Sequence, residues 1–139
     1  MIVVDTNVVS EVLRIGRDPV VVAWLDRQLA ETLFLAATSF SELLLGIDLL
    51  PDGRRKHGLN AAVAAITGRL FTSRILPFDE AAARSYAALV SRARAAGKAI
   101  SVTDGQIAAI ANAHGFAVAT RDVAPFAAAG VPVINPWLS

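Results

Sequence analysis

Short, uninterrupted apolar runs alternate along the chain with longer stretches whose apolar residues recur at helical spacing. The runs are Ile2-Val3-Val4, Leu33-Phe34-Leu35-Ala36, Arg74-Ile75-Leu76, Phe116 to Thr120, and Val131-Pro132-Val133-Ile134. Each has strand length, and none shows the polar–apolar alternation of a strand with one wet face, so strands covered on both sides are predicted. Pro132 has no backbone donor, which places the last strand at a sheet edge. Between the runs the spacing predicts helices over Thr6–Leu13, Pro19–Gln28, Thr38–Leu50 and Leu59–Phe71. A further helix should start at an Asp79 N-cap and end at Gly97. Another should open on a Ser101/Asp104 capping box and end at Gly115, with a short helix over Val123–Ala128 before the last strand. The stretch from Pro51 to Gly58 reads as a helix–helix loop. Strands alternating with helices in this way predict an α/β fold, a three-layer α/β/α sandwich around a mostly parallel five-stranded sheet.

At 139 residues the chain has the length of one domain, taken as 1–139, and can bury a core without disulfides or a structural metal. Its 55% hydrophobic content is swollen by 27 alanines and does not indicate a membrane span. The best candidate run, Leu33 to Leu50, contains Glu42 and Asp48. Asp5 breaks the first apolar run and no basic segment precedes it, which argues against a signal peptide. The chain contains no Cys, which excludes thiolate zinc sites, Fe–S clusters and cysteine nucleophiles. A soluble, cytoplasmic protein is expected.

Four carboxylates stand out against this pattern. Asp5 ends the first strand and Asp122 follows the fourth, at the sheet edge where open parallel sheets bind ligands. Asp104 heads the stripe Asp104, Ile107, Ala108, Ala111 and so points toward the core. Glu42 lies on a helix that is apolar nearly all round, so little water-facing surface is expected for it. Each has a plainer reading by itself: a helix cap for Asp5 and Asp122, a favourable dipole position for Asp104, an Arg partner or a subunit interface for Glu42. Together they would repel one another unless something held them, and a hard divalent cation would do so. With His only at positions 57 and 114, both expected at the surface, Mg²⁺ or Mn²⁺ suits the donors better than zinc.

The segments Val3-Val4-Asp5-Thr6-Asn7-Val8, Ser41-Glu42-Leu43 with Gly46, Thr103-Asp104 with Ile107-Ala108, and Ala119-Thr120-Arg121-Asp122 resemble those of the PIN-domain ribonucleases. The start of the chain, Ile75-Leu76-Pro77-Phe78-Asp79 and Asn135-Pro136-Trp137 are most similar to the FitB-like branch of the VapC toxins of type II toxin–antitoxin modules. The resemblance covers essentially the whole chain. It implies a Mg²⁺-dependent endoribonuclease in which Asp5, Glu42, Asp104 and Asp122 match the family's acidic quartet. Asp5 and Asp104 would ligate the metal directly, with Glu42 and Asp122 acting directly, through water or on a second metal. Thr120 matches a hydroxyl residue that organises the site, and Asn7 the polar residue beside the first acid. The resemblance also implies a VapB-like antitoxin that blocks the site, operator DNA bound only through that antitoxin, and toxin homodimers within a larger assembly.

Charge is compatible with an RNA substrate. Without the four site acids, 13 basic residues face 8 acidic ones, a balance of +5. Arg54, Arg55 and Lys56 cluster in one segment and Arg92, Arg94 and Lys98 in another, although clusters of this size are usually solvated surface. No stacking platform for bases is visible among the nine aromatic residues. Phosphotransferases of the haloacid dehalogenase type would need a second Asp where Asn7 stands, and a receiver domain would need a late Lys beyond Lys98. No nucleotide-binding glycine motif occurs. The remaining rival is a non-catalytic PIN-fold module that sequesters protein or RNA, against which the intact acidic quartet argues.

Overall fold

The computed structural model describes residues 1–139. Five strands, β1 (Ile2–Val4), β2 (Leu33–Ala36), β3 (Ile75–Leu76), β4 (Ala117–Ala119) and β5 (Val133–Ile134), form one sheet in the order β3-β2-β1-β4-β5. Every pairing is parallel. The helices are α1 (Thr6–Leu13), α2 (Pro19–Asp26), α3 (Ala37–Asp48), α4 (Arg54–Leu70), α5 (Glu80–Ala95), α6 (Val102–His114) and α7 (Val123–Ala128). Short 3-10 turns, not evident in the sequence pattern, cover Ala30–Thr32 and Pro136–Leu138.

Successive residues of a strand point to opposite faces, and here each face meets its own core. Val3, Ala36 and Val118 pack with residues of α5, α6 and α7, including Leu89, Ile107 and Phe126. Val4, Leu33, Leu35 and Ala119 pack with Val8, Trp24, Leu43 and Ile66 of α1 to α4. This is the expected three-layer sandwich, with the sheet wholly parallel. Val133 and Pro132 lie at an edge, as the missing Pro132 donor requires. No helix is long and apolar enough to cross a membrane.

Two expectations need correction. The Pro51–Gly58 stretch is not all loop: α4 starts at Arg54, behind Gly53 with a φ of 152°. Its first turns are charged and exposed, and an Asp52–Lys56 contact of 3.5 Å together with a Lys56 Nζ bond to the Asp48 carbonyl (3.2 Å) ties them to α3. A polar helical face resembles a loop when only apolar periodicity is read. Glu42 is exposed rather than buried, because the outer side of α3 is open: Leu45 is 59% and Leu49 75% exposed.

Candidate functional site

From β1 the chain builds outward through β2 to β3, then crosses back to lay β4 on the other side of β1 and β5 beyond it. The carboxyl ends of β1 and β4 therefore flank the point where the winding reverses, which is where such sheets leave a crevice. Val4 pairs with Ala119, so Asp5 and Thr120 are the first residues past the ladder on each strand. Backbone bonds hold both in place, from Asp5 N–H to the Ala119 carbonyl and from Thr120 N–H to the Ile134 carbonyl, each 2.9 Å.

Asp5 is only 5% exposed. Its Oδ1 accepts the Thr6 N–H (2.8 Å), and its Oδ2 accepts the Thr120 hydroxyl (2.8 Å) and the Asn7 amide (3.3 Å). Thr120 Oγ1 in turn accepts the Asp122 N–H (3.0 Å) and the Asn7 amide (3.2 Å), which uses the full capacity of a hydroxyl. Asn7 Oδ1 accepts the Arg121 N–H at 3.3 Å. Asn7 and Thr120 thus sew the start of α1 to the loop after β4.

Glu42 reaches this cluster from α3, where Thr6 Oγ1 donates to its Oε1 at 2.7 Å. Asp104 enters from α6, half-buried in the third position after the Ser101 cap, whose Oγ accepts the Asp104 N–H at 3.1 Å. Gly105 beside it lets α6 lie close on α5: a Cβ there would stand 2.8 Å from Tyr86 Cε2 and 3.2 Å from Val90 Cγ2. Thr38 on α3 bonds Gln106 on α6 at 3.3 Å and links the helices that carry Glu42 and Asp104.

The electrostatics connect all four acids. Burial pushes the Asp5 carboxyl up to about 6, against the Thr120 and Thr6 hydrogen bonds, and the charges of Asp104 and Glu42 push the same way. Asp104 is also raised, mainly by burial, with Asp122 adding repulsion and Ser101 opposing. Asp5 therefore senses Asp104 and Glu42, and Asp104 senses Asp122. No three of these side chains converge closely enough to form a ready-made metal cluster. The donors are all oxygens, the chemistry of a hard divalent cation, which takes one or two carboxylates and keeps several waters.

Asp122 is exposed and stands at the N-cap of α7, but its side chain makes no capping bond, so the plain reading of it as a cap is not realised. Asp5 does cap α1, and the same carboxylate keeps its second oxygen on Thr120 and Asn7. The sequence pattern missed Thr6. Its hydroxyl follows a strand-ending acid directly, which was the available signal, but its bond to Glu42 depends on how α3 packs on α1. Beside Thr6 and Glu42 a groove of about 750 Å³ runs between α1, α3 and α4, with Leu13, Ile47, Leu59 and Val63 among its apolar lining and Arg54 and Arg55 among its cations.

The PIN domain family matches residues 2–131. A VapC ribonuclease, Y4jK, of Sinorhizobium fredii is 47% identical over 99% of this chain and 98% of its own. Toxin FitB of Neisseria gonorrhoeae is 47% identical over 99% of both. The crystal structure of FitAcB from Neisseria gonorrhoeae superposes with a TM-score of 0.94 at 47% identity, covering 99% of each chain. The structure of FitAB bound to an IR36 DNA fragment gives the same TM-score of 0.94 and covers 99% of this chain and 96% of that one. The sheet order, the crevice at the β1/β4 switch and these relatives agree: the chain belongs to the PIN-domain family, among its VapC and FitB toxins.

Proposed function

We propose that this chain, acting as a single PIN unit over residues 1–139, is the toxin of a type II toxin–antitoxin module and a Mg²⁺-dependent endoribonuclease. The observation that carries the reading is Asp5 at the carboxyl end of β1, kept buried although burial opposes its charge and although Asp104 and Glu42 add their repulsion. A carboxylate that costs stability by itself is expected where a ligand later offsets the cost.

Asp5 and Asp104, with Glu42 and Asp122 directly or through water, would hold a divalent cation, which would neutralise charge at the phosphoryl oxygens and make a water more acidic. Mn²⁺ has the same hard-oxygen preference and is expected to substitute. The protein's part is positioning. Thr120 and Asn7 fix the Asp5 carboxylate through its Oδ2, and the Thr6 N–H holds Oδ1. Thr6 Oγ1 orients Glu42, which has one oxygen left over to accept a proton from water at the crevice mouth. Neither His serves this chemistry: His57 lies in the first turn of α4 and His114 ends α6 against Phe116.

FitB stands in complex with FitA in its solved structures, and a FitAB complex binds DNA. By this likeness a VapB-like antitoxin lays an apolar segment in the groove beside Glu42 and blocks the crevice, and operator DNA is bound through the antitoxin. A toxin homodimer covering the exposed leucines of α3, within a larger cytoplasmic toxin–antitoxin assembly, completes the reading. Growth after induction tests it. Arrest by the wild type, absent in Asp5→Asn and relieved by co-expression of the neighbouring antitoxin gene, is expected. Equal arrest by Asp5→Asn and wild type would contradict it.

A further inference from the structure

The arginine between Thr120 and Asp122 is unlike the other cations of the molecule. Its backbone N–H is fixed on Asn7, and its guanidinium lies 5.2 Å from the centroid of the Trp137 ring. Trp137 is itself anchored. Its backbone N–H donates to Asn135 Oδ1 (3.0 Å), its ring packs on the core beside α2, and the next turn is held by Arg27 through Ser139 Oγ at 3.2 Å. An aromatic face braces an Arg without consuming its N–H donors.

Those donors are free. The ion pairs of the molecule are Arg14–Glu11, Lys56–Asp52 and Arg84–Glu80, and none involves Arg121. The acid within electrostatic reach is Glu11, held below its usual range by Arg14 and the Asp18 N–H, with the Arg121 charge assisting. Oε2 of Glu11 already accepts Arg14 Nε and Nη2 and the Asp18 N–H. Arg121 is therefore tied to Asn7 by its backbone and to Trp137 by its guanidinium, exposed, with an unspent fork of donors.

Its position relative to the crevice follows from its chain neighbours. Arg121 stands between Thr120, whose hydroxyl bonds Asp5, and Asp122. Its guanidinium rests on Trp137 and pairs with neither acid, so it is beside the crevice and open to a phosphate that the acids do not hold. A crevice of four carboxylates must receive a polyanion, so cations beside it have a task that the acids cannot perform.

Resting on the nuclease reading above, we infer that Arg121, braced on the Trp137 indole, is a substrate-binding residue that grips the RNA phosphate next to the one hydrolysed, on the α1 side of the crevice.

The test uses the full chain carrying Asp5→Asn, so that RNA is not cut, and a fluorescein-labelled single-stranded RNA of mixed sequence over a series of KCl concentrations in Mg²⁺. Arg121→Ala should weaken binding about tenfold. It should also lower the slope of log K against log salt by about 0.7, the value for one phosphate on a single strand. Arg121→Lys should keep the slope while losing part of the affinity, and Trp137→Ala should do the same by releasing the brace. In the cleaving background, Arg121→Ala should raise KM with little change in kcat. Melting temperatures check that the variants fold. Unchanged affinity and slope in Arg121→Ala, with wild-type cleavage intact, would overturn the inference and leave the nuclease reading standing. The same holds if the substitution spares RNA binding and instead releases the antitoxin. Failure of the wild type to cut RNA at all, with no RNA bound by the Asp5→Asn chain, would remove both.

Discussion

Asp5 sits where its charge is least welcome, and its behaviour should report that directly. The folded protein holds the Asp5 proton more tightly than the unfolded chain, with a carboxyl raised from 3.8 to about 6. Stability of the metal-free protein should therefore fall as pH rises across that window and stay at the lower level above it. Asp5→Asn removes the penalty, so in EDTA at pH 7.5 it should be more stable than wild type by on the order of 2–3 kcal/mol. The gain should vanish near pH 4, and paired urea melts at the two pH values check both signs. Adding Mg²⁺ should raise the wild-type melting temperature and leave the Asn variant unmoved. Thr6 belongs to the same scale. Thr6→Val leaves Glu42 unoriented and should cost tenfold or more in Mn²⁺ affinity and cleavage rate, whereas Thr6→Ser should restore both. Isothermal titration with Mn²⁺ separates this from a folding defect. Asp5 and Asp122 were legible in the sequence because each follows a strand. Thr6 was not, since its partner lies on another helix, and neither was the contact of Arg121 with Trp137, which joins the loop after β4 to the last 3-10 turn.

At the scale of elements, strand ends and helix caps set where the acids stand: Asp5 and Asp122 past β1 and β4, Asp104 in the first turn of α6. The Ser101 cap was readable from its spacing with Asp104, and the structure bears it out through the bond from Asp104 N–H to Ser101 Oγ. The start of α4 was not readable, because its exposed turn of Arg54, Arg55, Lys56 and His57 carries no apolar period. Glu42 departs from its expected burial for a related reason. Leu44, Leu45 and Leu49 make α3 look core-like by composition, yet they face outward. Gly105 offers a test of how an element places a side chain. Gly105→Ala would set a methyl against Tyr86 and Val90, costing about 1–3 kcal/mol and shifting α6 away from α5. Because Asp104 is the adjacent residue, cleavage should fall by more than the loss of folded protein explains. Urea unfolding and activity, measured on the same preparation, separate the two effects.

For the whole molecule, the order β3-β2-β1-β4-β5 matters more than any single contact. It makes the first and fourth strands neighbours, so residues from opposite ends of the chain share one crevice. The sequence pattern predicted a parallel, two-sided sheet because its strands are continuous apolar runs. It could not give the strand order, which depends on where each helix crosses. The exposed leucines of α3 are a property of this scale as well. If they cover a second copy, Leu45→Asp should shift the protein from dimer to monomer in sedimentation velocity without lowering its melting temperature. The acidic crevice itself is tested most directly by cutting RNA. Purified chain should cleave total bacterial RNA in Mg²⁺, lose the activity in EDTA, regain it with Mn²⁺, and be inactive as Asp5→Asn or Asp104→Asn. Cleavage that persists in EDTA, or in both folded variants, would contradict a carboxylate-held metal as the source of the activity.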